Sequence, residues 1–305
     1  MVSKKSEKLK YLLGVVPPGF LVDGRFLRAH HFQSKSVGDY VSRGWLERLG
    51  WGVYRRPLPT KVTNTDFAMS PASSDASAQM SGVPVAVAVV SMQRIMGYGF
   101  HVGGVSALQL LGHVHHLPLG GDQTLHLYGD TPSWLRRIPL NAKPLTHTRA
   151  LFADDSVLGV IDADHRMITD SPDLSVWHYS VRVASPERAI LEAIDELPNH
   201  TTFDAIDEIF QGLTMLRPQI LMQLLLACRS VKVKRLFLVF ADHHQHAWRE
   251  YIDSSLIGLG SGPRALIEGG KLHPVYRIAV AESHLPRDRA CPEGLPIVDS
   301  KPEKT

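Results

Sequence analysis

Cysteine is scarce in this chain of 305 residues, which contains only Cys228 and Cys291. The two lie far apart and lack the spacing of metal-ligand pairs, so the sequence indicates neither a disulfide framework nor a cysteine-based zinc site. Long apolar runs are also missing, because no stretch approaches the about 18 apolar residues of a membrane span. The run 11–16 is too short for the core of a signal peptide. We therefore expect a soluble cytoplasmic protein.

Sequence motifs for catalysis are lacking as well. The glycine-rich stretch 258–262 lacks the Lys and Ser/Thr of a phosphate-binding loop, so we interpret it as a turn. Ser185 precedes a proline and a glutamate and is better explained as a helix N-cap than as a nucleophile. The histidines at 113–116 and 243–246 are candidate metal ligands, but no Cys or Glu completes a known spacing, and sixteen histidines make chance clusters common. The sequence predicts no catalytic site, no metal and no cofactor.

Positive charge, in contrast, is concentrated near the N-terminus. Residues 1–57 hold eleven lysines and arginines and four acids, which leaves a net charge of +7. Because the whole chain carries +3, the remainder carries −4. A basic segment of this kind is typical of a nucleic-acid-binding module.

Two short helices are predicted within this basic segment, after a first helix at 4–13. Asp23 is a candidate N-cap for one of them, and Ser34 is a candidate N-cap for the other, which spans residues 35–43. Apolar residues recur at i, i+3 and i+4 in this last helix and define its inner face: Val37, Tyr40 and Val41.

Alternating residues after Gly44 predict two strands, 45–49 and 53–56, joined by the glycine turn 50–52. Helix, turn, helix and wing is the arrangement that places a recognition helix in the major groove and basic wing residues on the phosphates. Ten polar side chains of this module are therefore predicted to contact DNA: Arg25, Arg28, Lys35, Ser36, Asp39, Ser42, Arg43, Arg48, Arg55 and Arg56.

The predicted fold class is mixed α+β, with an N-terminal winged helix-turn-helix at 1–58 and a larger mixed α/β domain at 84–284. Residues 59–83 are a predicted linker or mobile insertion, and 285–305 a predicted disordered tail. Within the larger domain, helices are predicted at 105–111, from 186 onwards, 204–212, 218–227 and 244–251. A helix is also favoured at 83–96, where Val85, Val87 and Val89 alternate as in a strand but Pro84 suits a first helical position. Strands are predicted at 123–128, 177–183, 233–241 and 273–280.

Several segments resemble the landmarks of one protein family. They are GWLERLGWGVYRRP (44–57), VGGVSALQLLG (102–112), ASPERAILEAIDELP (184–198), and VKRLFLVFADHHQHAW (233–248) followed by LGSGPRALIEGGKLHPVYRIAV (259–280). In this order they are similar to AbiEi-type antitoxins of type IV toxin–antitoxin systems. The resemblance implies a winged helix that binds inverted repeats in its own promoter, and a C-terminal domain that antagonises an AbiEii-type nucleotidyltransferase toxin. The chain departs from the family pattern by a Ser/Ala-rich insertion at 68–82 and by Trp51 in the wing turn.

The expected function is that of an autorepressor and antitoxin without catalysis. Its expected partners are promoter DNA and the cognate toxin, which is either contacted directly, modified, or opposed through its target. No dedicated dimerisation helix is evident, so we expect a monomer in solution that binds DNA cooperatively. The alternative is a DNA-targeted enzyme, a nuclease or a nucleotide-dependent protein, with its active domain at 180–280. A tightly bound metal or stabilisation by nucleotide would favour this alternative.

Overall fold

The N-terminal module consists of three helices and a small antiparallel sheet. The computed structural model describes residues 4–58, 82–114, 124–147, 150–153, 157–164, 179–264 and 270–285. The elements of the module are α1 (Lys4–Val15), β1 (Leu21–Asp23), α2 (Gly24–Ala29), α3 (Ser34–Ser42), β2 (Glu47–Gly50) and β3 (Val53–Arg55). Strand β3 lies between β1 and β2 and is antiparallel to both. The predicted order of helices and hairpin is confirmed, and β1 is an additional strand.

The ends of these helices follow from local chemistry. Asp23 caps α2 as predicted, because its Oδ1 accepts a hydrogen bond of 2.8 Å from the Phe26 N–H. The cap prediction for Ser34 is wrong, since Ser34 is the first helical residue and Gln33 occupies the cap position without a side-chain hydrogen bond. Gly44 follows α3 with a φ of +73°, a left-handed conformation that glycine adopts without strain.

Residues 82–184 contribute a five-stranded mixed sheet and its flanking helices. The elements are α4 (Val85–Val90), a π-helical turn (Ser91–Ile95), β4 (Phe100–Val102), α5 (Gly104–Leu110), β5 (Thr124–Gly129), a 3₁₀ turn (Leu135–Arg137), β6 (Lys143–His147), β7 (Val160–Asp164) and β8 (Ser180–Ala184). The strand order is β6-β5-β4-β8-β7. The β5–β6 and β4–β8 pairs are parallel, and the other two are antiparallel. The mixed α+β class is confirmed.

Residues 186–285 are mainly helical. The elements are α6 (Pro186–Asp195), α7 (Phe203–Gly212), α8 (Pro218–Ala227), α9 (Val231–His244), a 3₁₀ turn (Ala247–Tyr251) and the two short strands β9 (Lys271–Leu272) and β10 (Ala279–Val280). Helix α6 packs against both α5 and α9. Buried side chains of these helices, Ile190, Phe210, Leu224 and Phe237 among them, form one hydrophobic core.

The apolar run 233–241 was predicted to be a central strand, and this prediction is wrong. The run is the middle of α9, whose N-terminus is capped by Ser230 through the Val233 N–H at 3.4 Å. Every side chain from residue 233 to residue 241 is buried. A helix buried on all sides shows no amphipathic period, so its sequence pattern does not distinguish it from a buried strand.

Two other predictions near the C-terminal end hold only in part. Of the strand predicted at 273–280, only Ala279–Val280 is a strand, because residues 273–277 form a tight turn in which the Arg277 N–H donates to the His273 carbonyl at 2.9 Å. The helix predicted at 244–251 is reduced to the short 3₁₀ turn, since His244 still belongs to α9.

A second hydrophobic core is shared by the N-terminal module and the sheet. Leu21 and Val53 of the module belong to the same buried cluster as Met92 and Val181. The Leu21 N–H also donates to Ser91 Oγ at 2.9 Å. The predicted domain boundary at residue 58 therefore does not separate two hydrophobic cores.

Several predicted segments lie wholly or partly outside the described residues. They are 59–81 of the predicted linker, 286–305 of the predicted tail, and the histidines at 115 and 116. In the described part of the chain, no helix has the length and apolar content needed to cross a membrane.

Candidate functional site

The predicted DNA-contacting residues of α2 and α3 lie on the solvent side of the module. Arg28, Lys35 and Arg43 are exposed, as are Arg25 and Ser42, whereas Ser36 and Asp39 are half-buried. The inner face is as predicted, because Val37 and Tyr40 are buried beneath them. Helix α3 therefore presents two exposed cations, one at its first turn and one at its C-cap.

Arg25 connects the module to the sheet. Its guanidinium lies 4.9 Å from the centre of the Tyr98 ring, and its Nη1 lies 3.9 Å from Asp130 Oδ2. Close by, the buried Asp23 carboxylate accepts hydrogen bonds from Tyr98 Oη at 2.5 Å and from Trp134 Nε1 at 2.9 Å. Burial and the Asp23 carboxylate raise the pKa of Tyr98 to about 12. These contacts hold α2 in a fixed orientation against the sheet.

The three predicted wing arginines have different surroundings. Arg48 is exposed, and its guanidinium lies 6.0 Å from the ring of Trp51, a tip residue that is 86% exposed. Arg55 donates from Nε and Nη2 to Glu47 Oε2 at 3.0 and 2.7 Å. Arg56 is half-buried, and its Nη1 donates to two carbonyls at the C-terminal end of α1, that of Leu13 in the last turn at 2.5 Å and that of Val16 just after the helix at 2.7 Å. Of these three arginines, only Arg48 is exposed, and its Nε lies 3.4 Å from the Gly50 carbonyl.

A second constellation, which the sequence did not predict, surrounds two buried glutamates of the α6 segment. Glu192 Oε1 lies 2.8 Å from His101 Nε2 and accepts from Arg188 Nε at 2.7 Å, while Oε2 accepts from the Gly104 N–H at 3.1 Å. Burial raises the pKa of Glu192, but the electrostatic interactions and hydrogen bonds with His101 and Arg188 outweigh this effect, so the pKa is lowered. Glu192 is therefore a buried carboxyl group with three polar partners.

The two glycines that precede α5 allow these glutamates to approach. A Cβ atom at Gly103 would lie 2.1 Å from Glu192 Oε2, and one at Gly104 would lie 2.1 Å from Glu196 Oε1. Gly104 also has a φ of +54°, which favours glycine. The VGG and SPERAILEAIDE segments, about 80 residues apart in the chain, therefore meet at one buried contact.

Glu196 lies beside two histidines and a tyrosine. Its Oε1 accepts from Tyr128 Oη at 2.5 Å and lies 2.8 Å from His126 Nδ1, which is 3.2 Å from His147 Nε2. Burial raises the pKa of Glu196 and of Tyr128. Burial, with the nearby His126 and His200 rings, lowers the pKa of His147 to about 4. Both histidine nitrogens and the carboxylate thus converge on one point.

This constellation forms one wall of a cavity of about 570 Å³. The polar side chains that line it are His101, Tyr128, Asp130, Thr131, His147, Arg182, Arg188 and Glu192. The cavity therefore gives solvent access to one side of a cluster that is otherwise buried.

The candidate segments for catalysis or metal binding make hydrogen bonds with other parts of the protein. Ser185 occupies the N-cap position of α6 as predicted, but its Oγ donates to Glu187 Oε2 at 2.7 Å and makes no capping hydrogen bond. The 258–262 segment, interpreted from the sequence as a turn, is irregular with a bend at 261–262, and three of its carbonyls accept hydrogen bonds from the buried guanidinium of Arg235. In the 243–246 cluster, His244 Nε2 lies 2.7 Å from Asp207 Oδ1.

Comparison with known families assigns the chain to a class of regulators. A model of the N-terminal domain of the AbiEi antitoxin, described as a transcriptional regulator, matches residues 5–119. A second model, described as the transcriptional regulator and AbiEi antitoxin of a type IV toxin–antitoxin system, matches residues 122–281. The chain belongs to the AbiEi antitoxin family of type IV toxin–antitoxin systems, as its resemblance to that family indicated.

No match was found among curated proteins. Among solved structures, the chain is similar to the crystal structure of the RV2827C protein from Mycobacterium tuberculosis, at 14% identity and a TM-score of 0.47. That match covers 91% of this chain and 92% of the other. A likeness of this degree carries no functional argument.

Proposed function

We propose that this antitoxin binds inverted repeats in its own promoter as an autorepressor, and that it opposes a nucleotidyltransferase-like toxin encoded with it. The observation that carries the DNA-binding part is the exposed cationic surface of α2, α3 and the wing on a module with a net charge of +7. The family supports the antitoxin part, because both matching models describe antitoxins.

The role proposed for each residue follows from its exposure to solvent and from the groups that it contacts. Lys35, Ser36, Asp39, Ser42 and Arg43 on α3 are proposed to reach base edges in the major groove. Arg25, Arg28, Arg48 and Arg55 are proposed to contact phosphates. For Arg55 this contact competes with Glu47, which holds two of its donors. Arg56 is left out of the proposed DNA contacts, because its Nη1 already donates to the carbonyls of Leu13 and Val16 at the end of α1.

Repression by this module calls for two copies on the DNA. A single small module with few exposed cations binds one half-site modestly, so we propose a free monomer that binds an inverted repeat cooperatively. The half-site centres then lie a whole number of helical turns apart, in multiples of about 10 bp.

Gel shifts on a series of half-site spacings test this geometry. Inserting about 5 bp should abolish cooperative binding, because the second copy moves to the opposite side of the duplex, and inserting about 10 bp should partly restore it. Sedimentation of the free protein is the companion measurement. A stable free dimer, or cooperativity that does not depend on spacing, would contradict the proposal.

A further inference from the structure

Three potential ligand atoms converge where β5, the end of β6 and the C-terminus of α6 meet. They are His126 Nδ1, His147 Nε2 and a carboxylate oxygen of Glu196, and all lie within 4.8 Å of one another. The two histidine nitrogens are 3.2 Å apart. In a tetrahedral Zn²⁺ site with Zn–N bonds of about 2.0–2.1 Å, two ligand atoms are expected to lie about 3.3 Å apart, and the observed separation matches this distance.

The Glu196 carboxylate is not fully satisfied by the protein. Its side chain is only 2% exposed, yet Oε2 accepts no hydrogen bond from any described residue. A buried acceptor without a partner is costly, and a buried carboxylate more so. Glu196 also directly follows the last residue of α6, where the helix dipole disfavours a negative charge and favours a cation. Both features point to a missing positive partner.

We propose that His126, His147 and Glu196 bind a divalent transition-metal ion, with Zn²⁺ as the best match. Two imidazoles and one carboxylate are donors that suit Zn²⁺, whereas Mg²⁺ and Ca²⁺ prefer sites made of oxygen alone. Tyr128 is the supporting outer partner, because its hydroxyl donates to Glu196 Oε1 and orients the carboxylate. Three protein ligands leave one position for water.

The cavity supplies the route to this site. His147 lines the cavity and is also one of the three proposed ligands, so an ion and its water ligand can enter from that side. A second trio, Asp207, His243 and His284, also brings ligand atoms within 4.8 Å. There, however, the Asp207 side chain is 30% exposed and, unlike that of Glu196, has no buried oxygen without a partner. The second trio is therefore the natural comparison site.

The test uses the full-length protein after metal removal by a chelator. Zn²⁺ is titrated in competition with a chromophoric chelator, and the expected result is one tightly bound equivalent. Loss of even an outer partner of a metal ligand costs about 10–100-fold in affinity, so His147→Gln and Glu196→Gln should each weaken binding by more than about 100-fold. His243→Gln, the matched control in the second trio, should leave the affinity unchanged.

Folding of the variants is checked by circular dichroism and by the unfolding midpoint of the metal-free proteins. A measurement that needs no variant is the absorption of the Co²⁺-loaded wild type, which should show the intense visible bands of a four-coordinate ion. The proposal is overturned if the wild type binds no equivalent of Zn²⁺, or if Co²⁺ shows only weak octahedral absorption. Affinity that survives both ligand substitutions, or that is lost in His243→Gln, overturns it as well.

Discussion

At the scale of single residues, Gly104 is a position where the structure requires glycine. Any side chain there must adopt a φ of +54° and displace the buried carboxylate of Glu196, whose Oε1 would lie 2.1 Å from the new Cβ atom. We expect Gly104→Ala to lower the free energy of unfolding by an amount on the order of 1–3 kcal/mol. Urea unfolding measures the change.

Gly14 provides the matched control for this substitution. It lies in α1, and apart from its chain neighbours and the backbone of the helix itself, no atom of the described residues comes within 4 Å of a Cβ built there. Gly14→Ala should therefore stabilise the protein by about 0.5–1 kcal/mol, as expected for an exposed helical position. If both variants unfold at the wild-type urea concentration, the close approach of α5 and Glu196 is not the constraint inferred here.

At the scale of elements, two arginines of the predicted wing have different expected roles, one in DNA binding and one in stability. Arg48→Ala should weaken binding to all DNA sequences about equally and lower the salt slope by about one, because it removes one of the proposed phosphate contacts. Arg56→Ala should instead lower stability, since its Nη1 holds the Leu13 and Val16 carbonyls at the end of α1. Salt-dependent DNA titrations and urea unfolding of both variants are the measurements. An Arg56→Ala protein of wild-type stability with a reduced salt slope would reverse the two roles.

Some elements could be predicted from the sequence because their signals are local. The Asp23 cap, the hairpin after Gly44 and the helix at 186 depend on neighbouring residues, and all three are confirmed in position. Helix α9 could not be distinguished from a strand, because tertiary packing buries all of its sides.

The cluster around Glu192 and Glu196 could not be predicted for a different reason. Its residues come from four separate segments and meet only when α6 packs on α5 and the sheet. Two signals were available in the sequence. One was the four-residue spacing of the two glutamates, which places both on one face of a helix. The other was the glycine pair at 103–104, but neither signal showed that the glutamates and the glycines would meet.

At the scale of the whole molecule, the shared hydrophobic core changes how the two proposed activities can be separated. Deleting residues 1–58 would uncover side chains that pack against Leu21 and Val53, so a truncated protein tests folding as much as function. Exposed charges are the better target. The double variant Lys35→Ala/Arg43→Ala should lose promoter binding and still protect cells that express the toxin, as measured by growth.

Arg229→Ala is the control, because Arg229 is also exposed but lies between α8 and α9, at the other hydrophobic core. A folded double variant that no longer neutralises the toxin would show that DNA binding and antitoxin activity depend on the same residues.

The proposed reading of the promoter by α3 is tested most directly by one titration. Fluorescence anisotropy compares binding of the wild type, Arg43→Ala and Arg229→Ala to the inverted repeat and to a scrambled duplex at the same salt concentration. We predict that Arg43→Ala loses about 1–3 kcal/mol of binding to the inverted repeat and much less on the scrambled duplex. Arg229→Ala should bind both like the wild type. Equal affinity of the wild type for the two duplexes, or an unchanged preference in Arg43→Ala, would contradict the account.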